Sequence, residues 1–523
     1  MLTTVSARGN AAIDEIRKIV DPPLFGRFTG AIDWQARLRL PGDDGAFAAL
    51  RIDSDLHGLA THLPAPFTKP AEQKLDMVAK MQLTGALDRP LIIKLGDDLS
   101  VILQLDKHMH MQRGEIRLAD GVAQMPEHKG LRLAGKVPFV SVSDWLPLIE
   151  KERTNSANSS SRGVNHIAVK VGDLELFRRH FEDARIDAMA EGQIWQGMID
   201  SKQAKGSVQL PLGDKVPLIM DMDYLYLSGM EKTDVEDKDD PRQLPSMSVH
   251  SKVFHFNDID FGSLALTASH VPSGLHLTDL HMHSSLMDIK ARGDWLVANN
   301  RHFSSFDIAF TGNNFGKALS RFGYVDTIKG GKGVFNINAR WPGTPLSFAL
   351  AQLDGNMSMY IDNGQLLEID PGVGRIFGLL SVQTLPRRLI LDFRDVFSKG
   401  FVFDRISGSF EIKGGHARTS DLVMKGPSAR INIEGRVGLV DGDYDQLVTV
   451  VPDVSSTVPF VTALTQGAGA GAAVLLLQKL FEPKIDKAAT IRYRITGPWD
   501  NPDIERLPDI VPGSDSSAEK QQK

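Results

Sequence analysis

Two pairs of histidines have a spacing that suits metal chemistry. His281 and His283, and likewise His108 and His110, stand two residues apart, so on a β-strand each pair points to one face. Two imidazoles placed in this way can bind one metal ion together. No carboxylate or third histidine stands at a spacing that is diagnostic of a metal motif. We therefore predict solvated histidines on polar strand faces, and no metal site.

Motifs for other chemistry are missing or incomplete. The sequence has no Gly-x-Ser-x-Gly and no His-Glu-x-x-His pattern. Gly331-Lys332 is followed by Gly333, where a phosphate-binding loop needs Ser or Thr for magnesium. The segment 467–472 fits Gly-x-Gly-x-x-Ala, but it lacks the preceding strand and the βαβ unit of a dinucleotide site. The scattered carboxylates offer no acid–base pair, so we predict no enzyme activity and no cofactor.

Composition excludes several classes of protein. The chain has 523 residues and no cysteine, which excludes disulfides, thiolate metal sites and cysteine nucleophiles. Hydrophobic residues at 42% and charged residues at 24% are typical of a folded chain. Lys and Arg number 59 against 65 Asp and Glu, a net charge of −6 that lacks the basic excess of nucleic-acid binders. We therefore predict no nucleic-acid partner.

Apolar and polar residues alternate along much of the chain, which is the pattern of strands with one apolar and one solvated face. The clearest cases are 333–341, 356–362, 430–434 and 490–495. Clusters of Gly, Asn and Asp are predicted to be hairpin turns between such strands. These clusters are Asp354-Gly355, Asp362-Asn363-Gly364, Lys413-Gly414-Gly415 and Asp441-Gly442-Asp443. Helical spacing is confined to short segments near 314–322, 371–380 and 458–481.

An uncharged run from 454 to 478 continues into a lysine-flanked end, and we treat 454–481 as a helical hairpin hinged at its glycines. Twelve helical residues reach only about 18 Å, so neither half spans a bilayer. Two interpretations stay open, a membrane-contacting hairpin with basic flanks or a buried plug that covers the sheet. The candidate membrane-contact residues are Phe460, Val461, Leu464, Val474, Leu475, Leu476, Leu477, Lys479, Leu480, Phe481 and Lys484.

An ordered string of motifs resembles the AsmA-like C-terminal region of the YhdP family. The match is densest over about 310–505, and residues 34–67 match more loosely. The motifs are Phe322-Gly323-Tyr324, Ile328-Lys329-Gly330-Gly331-Lys332-Gly333, Trp341-Pro342-Gly343-Thr344-Pro345, Asp370-Pro371-Gly372-Val373-Gly374-Arg375, Leu385-Pro386-Arg387-Arg388-Leu389, Leu391-Asp392-Phe393-Arg394-Asp395-Val396-Phe397, Gly426-Pro427 and Tyr444-Asp445-Gln446.

The resemblance implies a function in lipid transport. Proteins of this family are understood as bridge-like phospholipid transporters of the Gram-negative envelope, anchored in the inner membrane by an N-terminal helix. The expected location is therefore the periplasm, with phospholipids as cargo and contact with the inner leaflet of the outer membrane through 454–481. The chain lacks the anchor and the early repeats, so we expect a fragment whose partner is the missing N-terminal part or anchor.

The resemblance also implies a fold, a long antiparallel β-sheet curled into an elongated groove, with a few short amphipathic helices and a C-terminal helical hairpin. The expected segments are a β-rich groove segment over 1–150, a polar linker over 151–163 and a second groove segment over 164–310 with a charged loop at 231–242. An AsmA-like region over 311–511 and a disordered tail over 512–523 complete the chain.

Inward-facing apolar residues are the candidate lining of the groove. Alternation predicts equally that the same positions form the core of a closed sandwich. An envelope scaffold that organises partner proteins without carrying lipid is the alternative function. The candidate lining residues are Phe335, Ile337, Trp341, Met357, Met359, Ile361, Leu391, Phe393, Ile431, Ile433, Ile491 and Tyr493.

Overall fold

The computed structural model describes most of the chain, and nearly all of the elements in it are strands. By its internal packing the chain divides into two units: unit 1 comprises Met1–Thr233 and Met247–Asn257, and unit 2 comprises Asp234–Ser246 and Asp258–Lys523. The described residues are 3–17, 25–40, 48–83, 89–106, 111–119, 121–145, 148, 164–176, 179–211, 216–228, 240–323, 328–345, 347–367, 401–427, 429–452, 490–499 and 501–508.

The described residues of unit 1 include fifteen strands, a short helix, a 3-10 turn and a further helical stretch at 142–145. Helix α1 is Ile13–Arg17 and the 3-10 turn is Phe25–Arg27. The strands are β1 (Thr4–Ala12), β2 (Phe28–Arg39), β3 (Ala48–Ser54), β4 (Leu59–Thr61), β5 (Met77–Leu83), β6 (Arg89–Leu95), β7 (Leu99–Leu105), β8 (Met111–Leu118), β9 (Gly130–Ser141), β10 (Val164–Leu176), β11 (Arg179–Glu191), β12 (Ile194–Asp200), β13 (Ala204–Pro211), β14 (Leu218–Leu227) and β15 (Met247–Phe256).

The described residues of unit 2 include twelve strands and one α-helix. Helix α2 is Phe315–Arg321, and 3-10 turns lie at Pro241–Gln243 and Leu350–Gln352. The strands are β16 (Ile259–Val271), β17 (Gly274–His283), β18 (Met287–Ala298), β19 (Arg301–Gly312), β20 (Ile328–Pro342), β21 (Asp354–Leu366), β22 (Phe401–Lys413), β23 (His416–Lys425), β24 (Ala429–Gly438), β25 (Asp443–Pro452), β26 (Ile491–Pro498) and β27 (Asp503–Leu507).

Each unit is built on consecutive strand pairing, so the prediction of a mainly β fold with few helices is confirmed. In unit 2 every strand from β16 to β27 pairs antiparallel with the next. In unit 1 the pairs β8–β9, β9–β10 and β14–β15 are parallel, so a purely antiparallel sheet is wrong there. Long connections precede β9, β10 and β15, and a parallel pair needs such a crossover in place of a hairpin.

The predicted strands are observed, but two of the four predicted turns are not turns. Lys413-Gly414-Gly415 and Asp441-Gly442-Asp443 do connect β22 to β23 and β24 to β25. Asp354-Gly355 and Asp362-Asn363-Gly364 lie inside β21. Asn363 has a φ of 54°, but the register with both neighbouring strands continues through it, so the chain does not reverse there. The helix predicted near 314–322 is α2, whose N-cap Asn314 accepts a hydrogen bond from the Lys317 amide.

Candidate functional site

A continuous row of apolar residues crosses seven strands of unit 2. Residues that pair directly across two strands point to the same face of the sheet, so the register defines which side chains are neighbours. At about 4.8 Å per strand, six steps give a row of roughly 29 Å. The row over β16–β22 is Leu266, Leu280, Ala291, Ile308, Ile337, Met357 and Phe410.

Parallel rows on the same face widen this surface. Phe310, Phe335 and Met359 continue a row that starts at Leu264 in β16. Further along the sheet, Ile361 begins a row that reaches β26. Its members are Ile361, Ile406, Met424, Ile431, Val450 and Ile491. We call the apolar face made by these rows the unit 2 wall.

Unit 1 has an equivalent apolar face that the sequence reasoning did not identify. Its central row crosses β9–β15 and consists of Leu133, Ile167, Ala188, Gly197, Val208, Met220 and Val249. We call this face the unit 1 wall. The alternation of Ile167, Val169 and Val171 along β10 is the signal that would have predicted it.

The unit 2 wall has a half-exposed part and a closed part. Phe335, Ile337 and Met357 are only partly buried. By contrast, Ile361 and Ile431 are 0% and 1% exposed. The fully buried residues belong to a packed core, whereas the partly buried ones form apolar surface that a ligand can contact. The core interpretation therefore holds for the buried residues, and the lining role of the partly buried ones stays a prediction.

Helix α2 packs on the edge of the half-exposed part. Phe315 stacks on Phe335, with ring centroids 4.9 Å apart and planes inclined by 20°. Phe310 meets both rings edge-to-face, at 6.2 Å from Phe315 and 5.8 Å from Phe335. Such aromatic contacts add to the burial energy of the three rings. They hold the helix against the wall, and Ile337 and Met357 lie beyond it.

Some glycines of the two walls lie where the neighbouring strand occupies the space that a side chain would need. A Cβ on Gly197 would lie 2.5 Å from Ala188 Cα, and one on Gly408 would lie 2.8 Å from Leu422 Cα. A Cβ on Gly355 would overlap the backbone carbonyl oxygen of Asn338. In a flat sheet, directly opposed Cβ atoms are about 4.5–5.5 Å apart. A side chain at these positions would therefore overlap the neighbouring strand, so only glycine fits there.

The opposite face of each unit is polar and carries cross-strand ion pairs. Arg405 Nε lies 3.2 Å from Asp362 Oδ1, and its guanidinium lies 4.7 Å from the Tyr360 ring centroid. Arg436 binds Asp443 through two hydrogen bonds of 2.8 and 2.6 Å. These bonds hold the pKa of Asp443 below its ordinary value, with burial opposing them. The charges keep the polar face in water, so the apolar face is the one that needs covering.

A broad depression of about 1060 Å³ lies over β17–β24, but it is not the candidate site. Most of its lining side chains belong to the polar face. They include Lys290, Arg292, Asn336, Glu411 and Arg418, which flank the backbone of the apolar row. Charged and amide groups there suit water better than an apolar ligand.

A fully buried carboxylate in unit 1 serves the fold. Glu115 accepts hydrogen bonds from Arg117 Nε at 2.7 Å and from Arg132 at 3.1 Å. The backbone amide of Gln124 donates a third at 3.1 Å. These bonds satisfy the carboxylate, as burial of a charge requires, and they fix the 121–129 connection on β8.

The β17–β18 hairpin brings a carboxylate next to the histidine pair at 281 and 283, although no sequence motif links them. Asp288 on β18 pairs directly with His283 on β17. Its Oδ2 lies 2.6 Å from His281 Nε2 and 3.0 Å from His283 Nδ1. The signal was the hairpin itself, because a tight turn at 284–286 places position 288 opposite position 283.

Ten of the predicted lining residues lie on the unit 2 wall, and the other two are outside the described residues. Buried members are Trp341, Met359, Ile361, Ile431, Ile491 and Tyr493, and partly buried members are Phe335, Ile337, Met357 and Ile433. Leu391 and Phe393 are outside the described residues, as are all candidate membrane-contact residues of 454–481 and the predicted helices near 371–380 and 458–481. Among the described residues, no helix is both long and apolar enough to cross a membrane.

Comparison with known proteins identifies the family. The chain is 26% identical over 504 residues to the intermembrane phospholipid transporter YhdP of Escherichia coli (strain K12). This match covers 92% of the chain and 39% of that protein, so the chain spans well under half of its relative. No solved structure shows significant similarity. The sequence profile of the YhdP protein family matches residues 1–504, and the chain therefore belongs to the YhdP family.

Proposed function

We propose that this chain is a non-enzymatic part of a route that carries phospholipids between the inner and outer membranes of the Gram-negative envelope. The observation that carries the proposal is the continuity of the apolar rows across seven consecutive strands in each unit. The relative named as an intermembrane phospholipid transporter supports phospholipid as the cargo. On this proposal the chain acts in the periplasm and supports the lipid balance of the outer membrane.

The proposed mechanism places acyl chains against the walls and the headgroup in water. Each methylene removed from water contributes about 0.8 kcal/mol, so an acyl chain on an aliphatic row is held without any specific polar contact. Half of a bilayer core is about 15 Å thick, which is roughly the length of one acyl chain. One chain would therefore cover about three to four strands of a row, at ~4.8 Å each.

Glycines mark points on the walls where the backbone itself is close to the apolar surface. Gly197, Gly355 and Gly408 leave no space for a side chain, so an acyl chain can lie close to the backbone at these positions. The half-exposed residues Ile337 and Met357 are the first contacts to test.

Mass spectrometry of an organic extract tests the proposal on the chain purified without detergent. Phospholipid at several molecules per chain is the expected result. If the folded, monodisperse chain contained no phospholipid, lipid transport would be rejected and the scaffold function would take its place. Extracts of an unrelated β-rich protein from the same cells, purified in parallel, show how much lipid is carried over non-specifically.

A further inference from the structure

The metal-ligating groups of the β17–β18 hairpin form a compact set. The ligand atoms of His281, His283 and Asp288 all lie within 4.8 Å of one another. Among the described residues, this is the one group of three His, Asp or Glu side chains close enough to bind a single metal ion. Both histidines direct a ring nitrogen at the same carboxylate oxygen, Asp288 Oδ2. We propose that His281, His283 and Asp288 bind a Zn²⁺ ion on the polar face of unit 2.

The distances suit tetrahedral coordination. Zn²⁺ binds imidazole nitrogen and carboxylate oxygen at about 2.0–2.2 Å, which sets adjacent ligand atoms about 3.3 Å apart. The carboxylate oxygen now lies 2.6 Å from His281 Nε2 and 3.0 Å from His283 Nδ1. Zinc binding therefore needs the first distance to open by about 0.7 Å and the second by about 0.3 Å, a displacement on the scale of side-chain movement. The register pairs His283 with Asp288 directly, so the backbone already holds the ligands in place.

The chemistry of the ligands favours Zn²⁺ over Mg²⁺ or Ca²⁺. Two imidazoles and one carboxylate are ligands that zinc accepts, whereas magnesium and calcium prefer a full set of oxygen ligands. The geometry agrees with this choice, because a ring nitrogen of each histidine lies within 3.0 Å of the same carboxylate oxygen.

Neighbouring side chains leave the fourth coordination position open. Ser263 and Ala265 on β16 pair with His283 and His281, and Thr311 on β19 pairs with Asp288. These residues are small, so water can complete the tetrahedron. Lys290 is the cation beside the site, pairing with His281, and its charge opposes metal binding. Its removal is expected to tighten binding by about fivefold, because two like charges repel across solvent.

The site lies on the face opposite the wall. Met282, between the two histidines, points to the unit 2 wall with Ile289 as its cross-strand partner. A bound ion would therefore link β17 to β18 without occupying any surface that contacts lipid. We assign it a structural role, in which metal binding to the folded state stabilises the hairpin.

Titration calorimetry of the metal-free full chain with ZnCl₂ tests the site. One Zn²⁺ per chain is expected, with affinity at least tenfold weaker in His281→Gln and in Asp288→Asn. The control is His276→Gln, because His276 pairs with Asp294 at 2.8 Å on the same two strands but belongs to no three-ligand set among the described residues. This control should bind zinc as the unchanged chain does.

Further measurements keep the test decisive if a ligand variant fails to fold. Lys290→Gln removes no ligand and should bind zinc more tightly, while circular dichroism reports folding. Zinc should raise the thermal midpoint of the unchanged chain and of His276→Gln, and magnesium at the same concentration should not. The proposal is overturned if no saturable binding occurs, if His281→Gln binds normally, or if His276→Gln weakens binding equally.

Discussion

A single carboxylate placed on the half-exposed wall should abolish lipid binding while leaving the fold intact. Ile337 is flanked across the sheet by Ile308 and Met357, and it is only partly buried. In Ile337→Asp the new charge can reach water, so the cost to folding is the lost contact with the core against which Ile337 packs, about 2 kcal/mol. The chain should therefore remain folded.

The cost to lipid binding is larger. An acyl chain lying across position 337 would have to cover a carboxylate. Placing Asp in hydrocarbon costs about 2.5–3.5 kcal/mol on a biological insertion scale. Because about 1.4 kcal/mol is a factor of ten, occupancy of the wall at this position should fall about a hundredfold.

Two matched variants separate the wall from the core and from charge alone. Asn336→Asp adds the same charge one residue away, on the exposed polar face, and should leave lipid content unchanged. Ile361→Asp adds it where the side chain is 0% exposed, and should unfold unit 2 because a buried, unpaired charge costs several kcal/mol. Bound phospholipid per chain and the circular dichroism midpoint are measured for all three. A folded Ile337→Asp that retains normal lipid would refute the assignment of this wall.

Three further predictions concern the close strand contact at Gly355, the effect of pH on stability, and the C-terminal segment 454–481. Gly355→Ala should lower the free energy of unfolding of unit 2 by about 1–3 kcal/mol in urea, because the new Cβ would overlap the Asn338 carbonyl oxygen. As a control, Ser358→Ala, at an exposed position on the same strand, should change the free energy of unfolding little. Asp443 has a lowered pKa, so its stabilising effect is present above about pH 4 and is lost as pH falls. The thermal midpoint of Asp443→Asn should therefore be lower than that of the unchanged chain at about pH 7. This difference should shrink toward about pH 3. Deletion of 454–481 should leave lipid bound but stop its transfer between vesicles; normal transfer by the deleted chain would reject a membrane-contact role for the segment.

The period-two pattern predicted which side chains share a face, because alternation is a direct consequence of strand geometry. It therefore placed Phe335 with Ile337 on one face of their strand, and Met357 with Met359 on one face of the next strand, without any knowledge of pairing. It could not predict exposure, since Ile361 and Ile337 have the same alternation and differ only in what packs on them. The fully buried and the partly buried parts of the wall become distinct only in three dimensions.

Pairing between strands is the second kind of information that the local sequence lacks. Asp288 reaches His281 and His283 through the hairpin register, and no motif spacing records this. Asn363 has the composition of a turn, yet its positive φ is accommodated inside β21 because neighbouring strands on both sides keep the chain extended. Long-range pairing thus overrode a local preference, as is usual in β-proteins.

The division of the unit 2 wall also bears on how cargo would move. In the half-exposed part, Ile308, Ile337 and Met357 are aliphatic side chains of similar character on successive strands, so displacement by one strand exchanges one apolar contact for another at nearly constant free energy. No polar partner on the row would hold a headgroup at one position. At Ile361, Ile406 and Ile431 the face is already packed, and a lipid could advance there only by displacing the residues that cover it. Under the proposed function, the half-exposed part is therefore where cargo resides, and the closed part is where its passage requires a change of packing.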